Sequence, residues 1–356
     1  MFQNLQILEL ASVLAGPSVG MFFAELGAKV IKVENARTGG DVTRKWKLPS
    51  ENPNPDHLSA YYCSVNWQKE VVFADFNEAE DRQKIYDLVK TSDIVIANFK
   101  HGADAKLGMD YATLKTFNPQ LIYAQLTAFG AESKRTAFDV VLQAESGFMY
   151  MNGNPESPPA KMPVALIDLL AAHQLKEGIL VALLQRQQTQ KGCLVTASLM
   201  KSAIAALANQ ATNWLMGNYI PQRMGTLHPN IAPYGEMFET KDGKLLVLAV
   251  GNDKQFAALC RVLQKEALIK DARFENNALR VENRQALQSL LQPLIAAYHR
   301  ADLLLQLEAY QVPAGAVRNM EEVFELPMAE QMVLKETREN GQVTKRVRTV
   351  VFNLST

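Results

Sequence analysis

The stretch Leu5-Gln6-Ile7-Leu8-Glu9-Leu10, followed by Val13-Leu14-Ala15-Gly16-Pro17-Ser18, Val19–Leu26 and Lys29-Val30-Ile31-Lys32-Val33-Glu34, carries the decisive fold signal. The first hexapeptide is a short apolar run of strand length. The second is a turn whose Pro17 sits near the first turn of the helix that follows, where its missing N–H costs nothing. Gly27 stands just past that helix, in the position that favours a left-handed backbone. The last hexapeptide is a second strand. Strand, turn, helix and strand in this order form the unit of a parallel sheet. The unit recurs, with a helix over Glu78–Thr91 and strands over Asp93–Ala97 and Leu121–Leu126. The expectation is an α/β protein with an open, mostly parallel, Rossmann-like sheet.

Further along, Asp168–Gln187 and Ser198–Gly217 read as long helices flanking a strand at Leu194–Ala197. The texture changes after Gly217. Tyr219–Pro233 is rich in Pro, Gly, His and Asn, and Gly235–Thr240 and Lys244–Val250 form a hairpin around Lys241-Asp242-Gly243. Helices follow over Asp253–Leu263, Asn277–Ala297 and Arg300–Tyr310. A large domain over residues 1–218, a smaller α+β domain over 219–312 and a C-terminal segment over 313–356 that returns to the large domain are expected.

With 356 residues the chain is too long for one ordinary core. Lys+Arg and Asp+Glu both number 37, so no global field attracts nucleic acid or an anionic membrane. Cys63, Cys193 and Cys260 are far apart, without a Cys-x-x-Cys, so neither a metal site nor a disulfide framework is suggested. The N-terminus has no basic n-region and no apolar run spans a membrane, which makes the cytoplasm the expected compartment.

Asp168 is the candidate catalytic residue. It lies in Pro163-Val164-Ala165-Leu166-Ile167-Asp168-Leu169-Leu170-Ala171-Ala172, where a lone carboxylate is expensive to desolvate. Such a site either raises the carboxyl's pKa or holds it with specific donors. The plainer alternative makes Asp168 the N-cap of a helix that begins at Leu169. Both readings stay open at this stage.

Two loops at the carboxyl ends of strands carry ligand-type residues. Glu34–Arg44 holds Asn35, Arg37, Arg44 and the pair Gly39-Gly40. Asn98–Gly108 holds Asn98, Phe99, Ala103 and Lys106, an aromatic face for a base and a cation for a phosphate. A solvated loop with a core Phe is the alternative for the second of these. The turn at Ala15-Gly16-Pro17 opens a helix, but no Gly-x-Gly-x-x-Gly and no phosphate-loop lysine motif is present. The five histidines are scattered and no Gly-x-Ser-x-Gly elbow occurs, so neither a serine triad nor a metal centre is read here.

Val13-Leu14-Ala15-Gly16-Pro17, Leu26–Glu34 and Gly39–Arg44 together resemble the N-terminal signature of the class III CoA-transferases, the group of formyl-CoA and carnitine CoA-transferases with α-methylacyl-CoA racemase as a divergent member. The likeness continues through Asn98-Phe99, Asn118–Tyr123, Phe138–Gly147, the Asp168 segment, His228–Tyr234 and Asp271–Asn277, over nearly the whole chain. The resemblance implies that Asp168 is a nucleophile, that backbone N–H groups at Leu14 and Gly251 stabilise oxyanions, and that Ala15, Asn35, Arg37, Asn98, Phe99, Ala103 and Lys106 contact coenzyme A. It implies acyl-CoA and a small carboxylic acid as substrates, no permanently bound cofactor or metal, and an interlocked homodimer.

The chain also departs from the family pattern. Asn35 follows the strand Glu where the family has Arg or Pro, Lys106 replaces an Arg, and Ala171-Ala172 stands where a Gly is usual. Leu14 replaces the glutamine of formyl-CoA transferase, which argues against oxalate and formate. A racemase would need a His before Asp139, and Phe138 there cannot carry a proton. A CoA-binding relative without turnover is a further reading. An NAD-dependent dehydrogenase is another, opposed by the missing glycine fingerprint.

Overall fold

A computed structural model of the protein describes residues 2–355. The chain divides into two compact units. One takes the residues up to Met149, Lys161–Pro221 and the chain from Gln331 on; the other takes Tyr150–Ala160 and Gln222–Glu330. The second unit thus runs beyond the 219–312 expected for the small domain and gathers an earlier segment as well.

The first unit is built on β1 (Gln6–Leu10), β2 (Lys29–Asn35), β3 (Lys69–Ala74), β4 (Ile94–Ala97), β5 (Ile122–Thr127) and β6 (Cys193–Ser198), in the order β3-β2-β1-β4-β5-β6. Every neighbouring pair is parallel. The order reverses between β1 and β4, the switch point where open α/β sheets place ligands. Helix α1 (Ala15–Glu25) is buried along its length from Ala15 to Ala24, because it lies between sheet and other helices. Gly16 and Gly20 make this closeness possible. A Cβ on Gly16 would lie 2.5 Å from the Ala11 Cβ, and one on Gly20 would overlap a Glu9 carboxylate oxygen. Gly27 has φ +95°, as expected of a helix-terminating glycine.

One sheet face packs Ile7, Val30, Ile94, Ile122 and Ala124 against α1 and the long helix that precedes β6. The other packs Leu8, Ile31, Val33, Val95 and Tyr123 against the helix Ala79–Thr91. The edge strand β3 is not expected from sequence. Its Lys-Glu start and partly exposed pattern hide the strand signal. Ser198–Gly217 is two helices, Leu199–Ala205 and Ala208–Gly217, broken where Ala208 takes φ +46°. An antiparallel hairpin of Val333–Thr337 and Val343–Val347 follows late in the chain. Beyond it the N–H groups of Thr349 and Val350 donate to Glu25 of α1.

The second unit holds an antiparallel sheet of Tyr234–Glu239, Leu245–Ala249 and Ala314–Ala316. The hairpin between the first two strands turns at Gly243 with φ +68°. Its core gathers Phe238, Leu246, Leu248, Phe256, Leu259, Phe274, Leu287 and Leu303.

Candidate active site

The carboxyl end of β1 is shaped by buried charge. Glu9, Lys32 and Lys69 have fully buried side chains on three adjacent strands. Lys32 Nζ donates to Glu9 (3.0 Å) and the Ala11 carbonyl (2.7 Å) and lies 3.2 Å from Asp41. Burial alone would depress this ammonium, but Glu9 and Asp41 outweigh it and hold it above the usual lysine value. Lys69 gains less from its neighbours, so burial pulls it down to about 8. Asp41 in turn accepts from the N–H groups of Thr43 and Val13. Burial opposes its ionised form, yet Lys32 and these donors keep it below the usual aspartate value. Val13 has φ +73°, a strained conformation for a β-branched residue. The network therefore pins a strained turn immediately before Leu14.

Leu14 stands at the N-cap of α1, where its carbonyl accepts from Ser18 N–H and Oγ, both at 2.8 Å; Ala15 is buried behind it. Asn98, at the end of β4, donates to the Ser12 carbonyl (2.9 Å) and accepts from Ser12 N–H (3.1 Å), tying the two loops of the switch point together. Its amide is engaged in that tie. Phe99 is half-buried, edge-on to Phe76. Asn35 accepts from Arg37 N–H and shapes its own turn, while the exposed Arg37 guanidinium lies 3.8 Å from Asp75. Beside this turn Glu34 receives Arg44 and the Tyr62 hydroxyl, both at 2.6 Å. Ala103 opens the short helix Ala103–Leu107, with Lys106 exposed near its end. Gly251 belongs to the second unit, where its N–H donates to Gln255 Oε1 at 2.8 Å.

Asp168 is not a helix cap. The helix Leu166–Thr189 begins two residues earlier, so Asp168 lies in its first turn and Ala165, which has no side-chain acceptor, occupies the cap position. The chain crosses from β5 and returns along this helix to β6, which puts the helix N-terminus at the carboxyl side of the sheet. Asp168 is only 8% exposed. Its carboxyl is pushed up to about 7 by burial and then by the charge of Asp139. No hydrogen bond among the described residues ends on that carboxylate; its backbone N–H instead donates to Asp139. Of the two environments open from sequence, the structure realises the one with a raised pKa, with no donor to the carboxylate from the described residues.

Two aromatic residues that sequence reasoning missed belong to this neighbourhood. The Tyr61 hydroxyl is raised by burial and then by Asp168, Asp139 and Asp41, so it stays neutral and feels both carboxylates. Trp46 packs edge-on against Tyr61, with ring centroids 5.0 Å apart. Neither residue lies in a pattern that points to a site; their grouping depends on the fold. His173, further along the Asp168 helix, is exposed. Among the described residues no cluster of His, Cys, Asp and Glu could hold a metal ion, and no helix is long and apolar enough to cross a membrane.

The profile described as "CoA-transferase family III" matches residues 2–356. The chain belongs to this family. This class III CoA-transferase is 38% identical over 356 residues to a succinate–glutarate CoA-transferase of Agrobacterium fabrum (strain C58), covering 98% of this chain and 88% of that protein. It is 34% identical over 325 residues to a succinyl-CoA:glutarate CoA-transferase of Mus musculus, covering 90% of this chain and 73% of that protein. A crystal structure of a CAIB/BAIF family protein from Brucella suis superimposes with a TM-score of 0.89 at 38% identity, over 99% of this chain and 92% of that one. The α/β fold and the enzyme class expected from sequence both hold.

Proposed function

We propose that this class III CoA-transferase moves CoA from an acyl-CoA to a free carboxylic acid through covalent intermediates on Asp168. The observation that carries this reading is a buried carboxylate, given no hydrogen-bond donor by the described residues, at the start of a helix on the carboxyl side of a parallel sheet. A carboxylate is a weak nucleophile when solvated, and removal of its donors strengthens it. The Asp168 oxygen attacks the thioester carbonyl, a C–O bond forms, the C–S bond breaks, and CoA thiolate leaves a mixed anhydride. The thiolate attacks the Asp168 acyl carbon and expels the donor's acid, which leaves an aspartyl-CoA thioester. The acceptor carboxylate then runs the two steps in reverse. No net proton transfer is needed, so the ionised form of Asp168 is the reactive one. Backbone N–H groups at Leu14 and Gly251 suit the oxyanions; for Gly251 this requires Gln255 to release its N–H.

Asn35, Arg37, Asn98, Phe99, Ala103 and Lys106 hold coenzyme A in this reading. Asn98 acts by fixing Ser12, and Arg37 and Lys106 offer charge from solvent-facing positions. The names of the two relatives point to four- and five-carbon dicarboxylates as donor and acceptor acids. The active form is proposed to be an interlocked homodimer. Trp214, Leu215 and Met216, the last two 78% and 83% exposed in the single chain, are side chains that a subunit interface would cover.

The test is mass spectrometry of the protein after incubation with succinyl-CoA, trapped with hydroxylamine. The expected result is modification of the peptide that contains Asp168. Asp168→Ala is expected to abolish transfer to glutarate while CoA binding persists. Normal turnover in that variant would remove the mechanism.

A further inference from the structure

The helix that carries Asp168 has no capping residue of its own. The N-terminal amides of a helix lack intrahelical partners, and those of the second and third positions are ordinarily taken by the side chain of the N-cap residue, which here is Ala165 and has no acceptor. Here a different residue has taken that place. Asp139, 28 residues before Ile167 and in the first turn of the helix Asp139–Glu145, accepts from Ile167 N–H at 2.7 Å and from Asp168 N–H at 3.3 Å, both on Oδ1. Its other oxygen receives Gln143 Nε2 at 2.5 Å. Gln143 is fully buried, and its Oε1 accepts from Met162 N–H at 2.8 Å. One side chain therefore holds the approach to the helix and its neighbour holds the first turn.

We propose that Asp139 is a positioning residue for CoA transfer: it caps the helix from outside, on the amides of Ile167 and Asp168 that Ala165 cannot serve, and so fixes the turn from which the Asp168 carboxylate attacks. The proposal rests on the reading of Asp168 as the nucleophile. It gives Asp139 a second, opposing effect. Its negative charge favours the protonated, unreactive form of Asp168.

The other titratable groups around Asp168 do not supply either effect. The Tyr61 hydroxyl stays neutral because burial and the nearby carboxylates raise it. Glu145, on the Asp139 helix, pairs with Arg135. His173 and Glu177 are exposed further along the Asp168 helix, and Lys176 there stands over the Phe22 ring beside Glu25. Lys201, on the next helix, is exposed.

The experiment compares wild type, Asp139→Asn and Asp139→Ala in single-turnover labelling of Asp168 with succinyl-CoA across pH 5–9, with thermal melts as a folding control. Asparagine keeps an acceptor for Ile167 N–H but loses the charge and the acceptor for Gln143 Nε2; alanine loses all three. Asp139→Ala is expected to slow labelling about a hundredfold at pH 8, the scale of a misplaced reacting group. Asp139→Asn should recover most of that rate and move the acid limb of its profile to lower pH than in wild type. Should the alanine variant fail to fold, the asparagine profile decides: an acid limb that stays in place overturns the proposal. Wild-type labelling rates in Asp139→Ala overturn it too, and so do equal losses in both variants with an unmoved limb. An unlabelled wild type would overturn the Asp168 reading itself, and this inference with it.

Discussion

Asp168→Asn should make the protein more stable while it destroys transfer. The carboxyl is pushed up to about 7 in the folded protein, against an ordinary aspartate value of 3.8. Between these two pH values the folded state holds a proton that the unfolded chain has released. Stability therefore falls as pH rises from about 4 to about 7, and stays low above that. Each pH unit in this interval is worth about 1.4 kcal/mol, so the ionised carboxylate opposes folding by about 4 kcal/mol at pH 8. Asparagine has nearly the same shape and never ionises. Other carboxylates also change stability with pH, among them Asp41 and Glu34, but both are held below their ordinary values and act at lower pH than Asp168. Their contribution runs the opposite way and cancels when the variant is compared with wild type at each pH. The assay is thermal unfolding of both proteins from pH 4 to pH 8. The melting temperatures should coincide near pH 4 and diverge through pH 7, with the variant higher by several degrees at pH 8. A variant that melts below wild type at pH 8, or a difference that does not change with pH, would refute the assignment of a donor-free, ionisation-resistant site.

Two further outcomes concern the charge network beneath the site. Lys32→Met leaves Glu9 and Asp41 buried without this partner, and should cost about 3–5 kcal/mol in urea unfolding, the range for half of a buried ion pair; a loss under 1 kcal/mol would contradict the network's role. Val13→Gly relieves a left-handed backbone at a β-branched residue worth about 1–3 kcal/mol, which offsets glycine's entropy cost of about 1 kcal/mol, so its melting temperature should hold or rise while turnover falls. A melting temperature several degrees lower would show that the Val13 side chain matters more than its strain.

The residues legible in sequence are those whose role is set by near neighbours. Alternating apolar runs, the Ala15-Gly16-Pro17 turn and Gly27 announce β1, α1 and β2 because strand length and helix termination are local properties. Edge strand β3 is hidden by the same logic, since a strand covered on one side carries a weaker apolar signal. Asp168 is visible as a carboxylate in an apolar run, but its place in the helix is not. The cap reading supposes that a helix must be capped from its own sequence, whereas Asp139 reaches in from 28 residues away. That difference decides the chemistry. A capping Asp168 would hold two amide donors and titrate below an ordinary aspartate, too well stabilised to attack a thioester. In the structure Asp139 instead takes the free amides of Ile167 and Asp168, and burial together with the charge of Asp139 pushes the Asp168 carboxyl up to about 7; in the proposed mechanism that poorly stabilised ionised form is the nucleophile. Under the proposal, stability and reactivity at this site both follow from how poorly the folded protein stabilises the ionised Asp168, so the asparagine melting curve and the Asp139 labelling profile test a single physical claim from two directions.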